Sequence, residues 1–312
     1  MPTVTQSSTH TASVAASAGF LYDLVADVEQ MRRIFTPVVH TAFLERGGTA
    51  DRVERWTWEA HLDAVRTWRA SRTLDRDAGR IAFRHENPAA PLLEVTGEWS
   101  FKPLSDGLTE VELRHEFTLD PDAEGADRTA AMFDRGAGMQ LGRVKNFAEE
   151  YDELRAREVS YEVSYTIDQP IEDVYGYFYE VDKWRERIPH CLNAERREDV
   201  PNLQVVVMDV QVPSGALHTT KQARVCFPNE KIMWRQLEGL PPLDEMLYGY
   251  MTFTRTPAGV EVRTGQTELL KPTGVAKRGW SMDEAKQHVA EVRGGRNLDA
   301  IKSAEEFLRR RG

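Results

Sequence analysis

The stretch VRTWRASRTLDRDAGRIAFR, residues 65–84, has a counterpart in LHTTKQARVCFPNEKIMWR, residues 217–235. Each stretch reads as a strand, a turn and a second strand, because turn-forming residues interrupt an alternating pattern. Each places an arginine, Arg72 or Arg224, within its first strand. Each ends in a basic residue, isoleucine, a variable residue, an aromatic residue and arginine. This repetition indicates that one strand–turn–strand unit occurs twice in the chain.

Two further pairs of segments support a duplication. Residues 14–31 match residues 167–184 without a gap, with apolar residues at corresponding positions. Residues 97–113 match residues 249–265 at almost the same offset. Chance similarity between amphipathic segments is the alternative, but it does not explain colinear matches at a nearly constant offset. The sequence therefore predicts two copies of one domain.

Each copy has the same order of predicted elements: an opening strand, a short helical segment, several alternating strands and a long helical segment. The long helices are predicted over residues 127–156 and 281–311. This order predicts the α+β class, with tandem domains at 1–156 and 157–312, each a curved antiparallel sheet wrapped around its C-terminal helix. The linker RAREVSY, residues 155–161, has no proline or glycine, so we expect the domains to pack as a pseudo-dimer.

Composition excludes several classes of partner. The 312-residue chain has a formal net charge of −10, which argues against nucleic acid, because phosphate contacts need a basic face. No apolar run approaches the roughly 18 residues of a membrane helix, and the polar start lacks the features of a secretion signal. Cys191 and Cys226 are too few for a disulfide framework. We therefore expect a cytoplasmic protein that does not associate with membranes.

The two repeated arginines stand where an apolar residue would suit a core. Strand alternation puts Trp68 on the same face as Arg72, and His218 on the same face as Arg224. If this face is the inner one, each guanidinium lies in largely apolar surroundings and needs a compensating partner. Three interpretations are open: a ligand-binding arginine, a salt bridge to a core carboxylate, or an edge strand whose arginine reaches water.

Aromatic side chains supply the other candidates for the wall of a pocket. Ordinary core packing is the alternative interpretation for every one of them. The candidates for substrate contact are Phe35, Trp58, Trp68, Trp99, Trp184, Trp234, Tyr250 and Met251.

Standard catalytic motifs do not occur in the sequence. The eight histidines lack metal-ligand spacing and the two cysteines do not form a C-x-x-C pair, so we expect no metal site. The segment RGAGMQLG, residues 135–142, is superficially like a phosphate-binding loop, but it lies inside a predicted helix and not after a strand. Together with RGG, residues 293–295, it predicts either a kink where small residues leave room or a helix break.

The element order resembles that of the di-domain aromatase/cyclases of bacterial type II polyketide synthases, which are built from two helix-grip, START-like domains. The resemblance covers essentially the whole chain. It is strongest at MRRIF (31–35) and WRERI (184–188), at TWRASR (67–72) and QAR (222–224), and at GEWSF (97–101) and GYMTF (249–253).

The resemblance implies a pocket arginine that polarises substrate carbonyls, and Arg72 and Arg224 occupy its position. Each copy departs from the rest of the family's pattern, so the resemblance does not say which pocket is active. The family's serine is Ala70 or Gln222, its tyrosine is Val38 or Cys191, its first-helix tryptophan is Met31 or Trp184, and its later tryptophan is Trp99 or Met251.

The resemblance also implies the reaction. An acyl carrier protein would present a reduced poly-β-ketone, and the enzyme would close its C7–C12 ring by an aldol step and dehydrate it to an aromatic ring, without a cofactor. Arginine keeps its charge and donates protons poorly, so water or a histidine must move the protons. His85, His190 and His218 are the candidates.

Two other classes of function remain open at the level of sequence. Helix-grip domains also bind lipids and sterols, so the chain could be a non-catalytic carrier of a hydrophobic ligand. It could also be an interaction scaffold whose two cores are filled. Arg72 and Arg224 discriminate among these, because a cyclase loses its product with them, whereas a carrier tolerates their loss.

Overall fold

A computed structural model describes residues 4–120, 122–123, 125–188, 191–211 and 215–311. The chain forms two copies of one α+β unit, and each copy is a seven-stranded antiparallel sheet with a long helix after its last strands. The fold class and the element order predicted from the sequence are therefore confirmed.

The first repeat opens with a strand and two short helices, continues with six strands and closes with two helices. Its strands are β1 (Val4–Val14), β2 (Val38–Arg46), β3 (Ala50–Glu59), β4 (Ala64–Asp75), β5 (Arg80–His85), β6 (Leu92–Ser105) and β7 (Leu108–Leu119). Its helices are α1 (Ala18–Ala26), α2 (Met31–Ile34), α3 (Ala126–Glu149) and α4 (Tyr151–Arg157).

The second repeat has the same order, except that its third short helix precedes the long helix instead of following it. Its strands are β8 (Glu158–Ile167), β9 (Cys191–Val200), β10 (Leu203–Gln211), β11 (Leu217–Phe227), β12 (Lys231–Glu238), β13 (Asp244–Thr256) and β14 (Gly259–Leu270). Its helices are α5 (Ile171–Tyr179), α6 (Trp184–Arg187), α7 (Pro272–Ala276) and α8 (Met282–Arg309).

The two sheets share one topology. The strand order is β1-β7-β6-β5-β4-β3-β2 in the first sheet and β8-β14-β13-β12-β11-β10-β9 in the second. Consecutive strands pair as hairpins, while the first strand of each repeat pairs with the last. The chain divides into two compact units, Met1–Thr57 with Thr67–Asp152, and Trp58–Arg66 with Glu153–Gly312. The tip of the β3–β4 hairpin is thus grouped with the second unit, although it belongs to the first repeat.

Strand alternation and helical spacing meet in the core of the first unit. Ile81, Trp99 and Leu113 are cross-strand neighbours on β5, β6 and β7, and each is at most 6% exposed. Leu141 and Val144 of α3, three residues apart, are buried in the same cluster. This spacing turns one face of the helix towards the sheet. Full burial of each large apolar side chain contributes about 1.5–3 kcal/mol to folding.

The core of the second unit is built in the same way. Ile301 and Ala304 of α8 are fully buried in one cluster with Val262 of β14. A capping box starts α8: the Ser281 side chain accepts a hydrogen bond from the backbone N–H of Glu284, and the Glu284 carboxylate accepts one from the backbone N–H of Ser281. These bonds satisfy donors that have no partner within the helix.

Neither long helix breaks at its glycine-rich segment. Helix α3 runs through residues 135–142 and α8 runs through residues 293–295, so the predicted helix break is wrong. Gly138 instead brings the α3 backbone close to the His10 ring, 3.2 Å from where a Cβ would lie. Gly294 is buried in the same way against β8. Within the described ranges, no helix is long and apolar enough to cross a membrane.

An aromatic ring over a glycine marks the centre of each inner sheet face. Arg72, Phe83, Gly97 and His115 are cross-strand neighbours in one row of the first sheet. A Cβ on Gly97 would lie 2.3 Å from the Phe83 ring, so a side chain there would displace the ring. The corresponding row of the second sheet is Arg224, Trp234, Gly249 and Gln266.

We expect Gly97→Ala to lower the free energy of unfolding by about 1–3 kcal/mol, because the added Cβ would overlap the Phe83 ring and the Arg114 carbonyl oxygen. Gly136→Ala is the matched control, since apart from its chain neighbours and the nearby backbone of α3 no described atom lies within 4 Å of its Cβ position. Alanine there should raise stability by about 0.5–1 kcal/mol. Urea unfolding followed by circular dichroism measures both changes, and a Gly97→Ala variant as stable as wild type would contradict this row.

Candidate active site

Two histidines flank the Phe83 ring on the inner face of the first sheet. The ring centroid of Phe83 lies 6.0 Å from that of His85 and 5.3 Å from that of His115. His115 is only 3% exposed. Among the described residues, the buried Nδ1 atoms of both imidazoles have no hydrogen-bond partner. An unpaired buried polar atom is costly, so these two atoms are well placed to bind a ligand.

Both histidines are neutral at neutral pH. Burial lowers the pKa of His85 to about 3, with smaller contributions from the positive charge of Arg55 and from His115. Burial also lowers the pKa of His115 to about 4, helped by His10 and Arg55. A neutral imidazole donates one hydrogen bond and accepts another, so it can polarise a carbonyl group or pass on a proton without carrying a full charge.

Aromatic rings surround the two imidazoles. The Trp68 ring lies 5.9 Å from that of His85, and the Phe133 ring of α3 meets His115 edge-on at 5.1 Å. The structure therefore brings Trp68 and His85, both predicted from the sequence, into one interior. Such an interior favours a largely apolar ligand that carries a few carbonyl groups. Deeper in the same unit, Phe35 and Trp99 join the core cluster.

A carboxylate on α3 holds the edge of this interior to β1. Asp134 accepts hydrogen bonds from the Ser8 hydroxyl and, at 3.0 Å, from Nε2 of His10, and these bonds lower the pKa of Asp134. Ser8 bonds to the carboxylate and not to the imidazole, so the three residues are not arranged as a serine nucleophile with its base. The described part of the chain contains no cluster of three or more histidine, cysteine or acidic side chains that could hold a metal ion.

Arg72 is compensated by a buried ion pair. Its Nε donates to Oδ1 of Asp51 at 2.8 Å and its Nη2 donates to Oδ2 at 2.7 Å, with both side chains at most 5% exposed. Nη2 also donates to the Ala26 carbonyl at 2.9 Å, and Nη1 donates to the Val25 carbonyl at 3.4 Å. Carbonyls at the end of a helix lack partners within it, so Arg72 ties the end of α1 to the sheet. The salt-bridge interpretation is confirmed, and one of five N–H groups is left for a ligand.

Arg224 repeats this contact with a helix end but lacks the carboxylate. Its Nη2 donates to the Phe178 carbonyl of α5 at 2.7 Å. Its cross-strand neighbour is the fully buried Gln204. Among the residues that the structure describes, Nη1 of Arg224 and Oε1 of Gln204 have no partner. Burial lowers the pKa of Arg224, whose guanidinium carbon lies 6.0 Å from the centroid of the Trp184 ring.

A charged network fills the corresponding interior of the second unit. Arg293 of α8 donates to Asp244 at 2.6 Å and also to Glu268, and both carboxylates are fully buried. The Tyr161 hydroxyl oxygen lies 2.7 Å from Oε1 of Glu268 and 2.5 Å from Oε1 of Gln266, and its single proton is shared between these two acceptors. Burial raises the pKa of Asp244. Because charges stand here where the first unit has imidazole and phenyl rings, this interior suits an apolar ligand less well.

Three of the predicted aromatic or apolar contacts lie on the inner side of the second unit. Trp184 and Met251 pack against its core, and Trp234 lies in the row of Arg224. Tyr250 does not join them. Strand alternation puts it on the outer face, where its hydroxyl donates to Glu162 of β8.

The remaining predicted residues lie elsewhere. Trp58 belongs to the hairpin segment grouped with the second unit, and its indole N–H donates to Asp63 at 3.3 Å, so it does not join Trp68. Nε2 of His218 lies 3.0 Å from the Gly239 carbonyl oxygen. His190 falls outside the described residues.

A groove of about 770 Å³ lies on the outer face of the first sheet, with Arg72 at its border. Its side chains are largely charged and include Arg84, Glu98, Arg114 and Glu116. Alternation puts these four on the face opposite the two histidines. Acids and bases so close together neutralise one another and offer little to an apolar ligand, so the inner face is the better candidate site.

Sequence reasoning missed His115, although a signal for it exists. In VELRHEFTL, residues 111–119, it occupies the inward register between buried apolar residues. Glu268 interrupts the inward register of β14 in the same way. Asp51 carries no such signal, because it comes beside Arg72 only when β3 and β4 pair.

Comparison with known proteins places the chain in a family. A family model described as polyketide cyclase / dehydrase and lipid transport matches residues 5–149. The chain is 31% identical to the granaticin polyketide synthase bifunctional cyclase/dehydratase of Streptomyces violaceoruber, over 99% of this chain and 96% of that protein. It is 30% identical to the actinorhodin polyketide synthase bifunctional cyclase/dehydratase of Streptomyces coelicolor, over 95% of this chain and 94% of that protein.

Solved structures extend the similarity to the whole fold. The di-domain ARO/CYC BexL from the BE-7585A biosynthetic pathway matches with a TM-score of 0.86 and 30% identity, over 96% of this chain and 98% of that one. The di-domain ARO/CYC StfQ from the steffimycin biosynthetic pathway matches with a TM-score of 0.86 and 34% identity, over 97% of this chain and 98% of that one. These matches span both repeats, and the chain therefore belongs to the family of di-domain polyketide cyclase/dehydratase enzymes.

Proposed function

We propose that this enzyme closes the C7–C12 ring of a reduced poly-β-ketone and dehydrates it to an aromatic ring. The observation that carries the proposal is the pair of neutral imidazoles of His85 and His115 among aromatic rings in the first unit, each with a buried Nδ1 that has no hydrogen-bond partner among the described residues. This interior offers hydrogen bonds to ketone oxygens without a strong net charge, which suits a chain of alternating carbonyl and methylene groups. The cyclase/dehydratase relatives support the same class of reaction.

The proposed cyclisation is an aldol addition followed by loss of water. A proton leaves the C12 methylene, a bond forms between C12 and the C7 carbonyl carbon, and the C7 oxygen takes up a proton. Dehydration removes that hydroxyl together with a proton from the neighbouring carbon. Loss of the hydroxyl at the reduced position as a second water, and enolisation of the remaining ring ketone, give the aromatic ring. These reaction steps involve no net oxidation or reduction, so the proposed reaction needs no redox cofactor.

Each histidine has a different role in this reaction. His115, the more buried, donates a hydrogen bond to the carbonyl under attack and so stabilises the developing oxyanion. His85, next to Trp68, relays protons between the methylene, the leaving hydroxyl and water. The surrounding rings hold the reacting carbons together and exclude water, an effect worth up to several kcal/mol.

Arg72 acts chiefly by holding α1 in place over the inner face of the sheet. Asp51 neutralises its charge, and its remaining Nη1–H is the one donor it can offer to a substrate oxygen. Arg224 keeps an unpaired Nη1 but lies in the unit whose interior holds the charged network, so we place the reaction in the first unit.

We also propose that the substrate arrives on an acyl carrier protein in the cytoplasm. A thioester tether restricts the chain's freedom before it enters the interior, which lowers the entropy cost of folding it for ring closure. Cys191 and Cys226 are free and buried, which supports a reducing compartment.

We expect His115→Phe and His85→Phe each to lower formation of the aromatic product about 100-fold or more, because the first removes the donor to the oxyanion and the second removes the proton relay, while both keep an aromatic ring in place. A reconstituted polyketide synthase with chromatographic product analysis measures this. The control is His61→Gln, whose side chain is 52% exposed and which should keep wild-type yield. Wild-type yield from both phenylalanine variants would refute the placement of the reaction in the first unit.

The Asp51–Arg72 pair separates structural from chemical roles. Arg72→Met leaves a buried carboxylate without a partner and should cost about 3–5 kcal/mol of stability. Asp51→Leu/Arg72→Met removes both charges and should recover part of that loss in urea unfolding, because the Val25 and Ala26 carbonyls of α1 still lose their donor. If Arg72 binds substrate, the stable double variant still gives little aromatic product. Full product yield from it would show that Arg72 is structural alone.

The lowered histidine pKa values predict loss of stability in acid. His115 becomes protonated below about pH 6.5 in the unfolded chain, but only below about pH 4 in the folded chain, because burial lowers its pKa. The free energy of unfolding is therefore unaffected by the protonation of His115 above pH 6.5. It falls as the pH drops from 6.5 towards 4, by up to ~1.4 kcal/mol per pH unit for each proton. Urea unfolding at pH 7.5, 6 and 5 measures the free energy of unfolding as a function of pH. This free energy should fall less steeply with pH in His115→Phe than in wild type, and as steeply as wild type in His61→Gln. Equal slopes for His115→Phe and wild type would contradict the buried neutral imidazole.

A further inference from the structure

We propose that the outward face of α3 is the docking surface for the acidic carrier protein that presents the substrate. This inference rests on the proposed function, in which the substrate is carrier-bound. We call the face the basic stripe. It consists of Arg128, Met132, Arg135, Met139 and Arg143.

Helical spacing aligns the basic stripe on one side of α3. Successive members are separated by four, three, four and four residues, which at 3.6 residues per turn keeps them within about 80° of one another. The buried residues Ala137, Leu141 and Val144 lie on the opposite side, against the core. The basic stripe therefore points away from the first unit's own core.

The basic stripe combines exposed positive charge with exposed apolar side chains. Arg128 and Arg135 are exposed, and neither makes an ion pair with any described residue. Met132 and Met139 are 45% and 54% exposed. Neighbouring exposed apolar side chains are unfavourable in water and mark a surface that binds a partner. Methionine is flexible and polarisable and adapts to a partner's surface.

The corresponding helix of the second repeat has no such face. The outward side of α8 mixes acids with bases, so its charges largely cancel. Its exposed charged residues include Glu284, Glu291, Arg296, Asp299, Lys302, Glu306 and Arg310. The basic stripe is therefore a feature of the first repeat alone, which is also the repeat that holds the histidine interior.

Charge complementarity identifies the partner. With a net charge of −10 the chain as a whole repels an acidic protein, so a local run of unpaired arginines selects where such a protein can bind. At its C-terminal end the basic stripe reaches the loop after α2, where Nη1 of Arg143 donates to Thr36 at 3.0 Å, next to Phe35 of the core cluster. A carrier bound here would hold its acyl chain beside the first unit. The partner is thus an acidic, substrate-bearing protein surface.

The test compares two double charge reversals that change the net charge equally. Arg128→Glu/Arg135→Glu alters the basic stripe, and Arg296→Glu/Arg310→Glu alters α8 and the residue that ends it. The probe is a fluorescently labelled holo acyl carrier protein, and the readout is its dissociation constant by fluorescence anisotropy at low and high salt. We expect the stripe variant to bind at least about tenfold more weakly and to lose most of the salt dependence, with the α8 variant within about twofold of wild type. Equal effects of the two variants, or none, would overturn the proposal.

Activity with two substrates separates this surface from the proposed function. The stripe variant should lose product from the carrier-bound chain but keep wild-type activity on a soluble N-acetylcysteamine thioester. Equal loss with both substrates would overturn the docking role. If wild type cyclises neither substrate but the carrier still binds through the basic stripe, the proposed function fails and the surface stands.

Two other occupants are outcomes of the same series. Binding to phosphatidylglycerol vesicles that is lost in the stripe variant, with carrier binding unchanged, would assign the surface to an anionic membrane. Self-association in analytical ultracentrifugation that is lost in the stripe variant, again with carrier binding unchanged, would assign it to a second copy of the chain. Either result would overturn the proposal.

Discussion

The structure depends on an arginine that joins a helix end to the middle of a sheet. In each repeat a strand arginine donates to carbonyls in the last turn of the first helix, Val25 and Ala26 in α1 and Phe178 in α5. Those carbonyls have no partner within the helix, and a cation also suits the negative end of the helix dipole. The contact fixes the first helix over the sheet and so encloses the inner face. This explains why the chain carries a charge twice where an apolar residue would otherwise suit a core.

The two copies balance this charge differently, and the difference extends to their interiors. Asp51 pairs with Arg72, whereas the neutral Gln204 stands beside Arg224. The first interior is left with neutral imidazoles and aromatic rings, while the second places Arg293 between two buried carboxylates. A buried network of charges favours a filled, well-ordered interior. A neutral interior with unpaired donors and acceptors favours a ligand, so duplication has produced one fold with two chemical environments.

The fold was predictable from local pattern, and the site was predictable only in part. Alternation, turns and helical spacing recur in both halves, so the order of elements along the chain and the long helices could be predicted, and His85 and Trp68 could be assigned to one interior. Tyr250 shows the limit. It lies beside inward residues in the sequence, yet a single step in register puts it on the outer face, bonded to Glu162. Trp58 shows another limit, because it is grouped with the second unit although its strand belongs to the first repeat.

The sequence by itself determined the duplication, the α+β class and the corresponding strand positions of both arginines, because these follow from spacing along the chain. The alternating pattern of β7 also placed His115 in the inward register. That the face carrying the arginines is the inner one was decided by the tertiary structure, in which each guanidinium contacts a helix end. Only the tertiary structure decided the partners: Asp51 for Arg72, Gln204 for Arg224, and Asp244 with Glu268 for Arg293. Such pairs join residues far apart in the chain, and their charges act over a few ångströms in a dry interior. Whether a repeated arginine is paired or free therefore depends on which strand or helix closes over it.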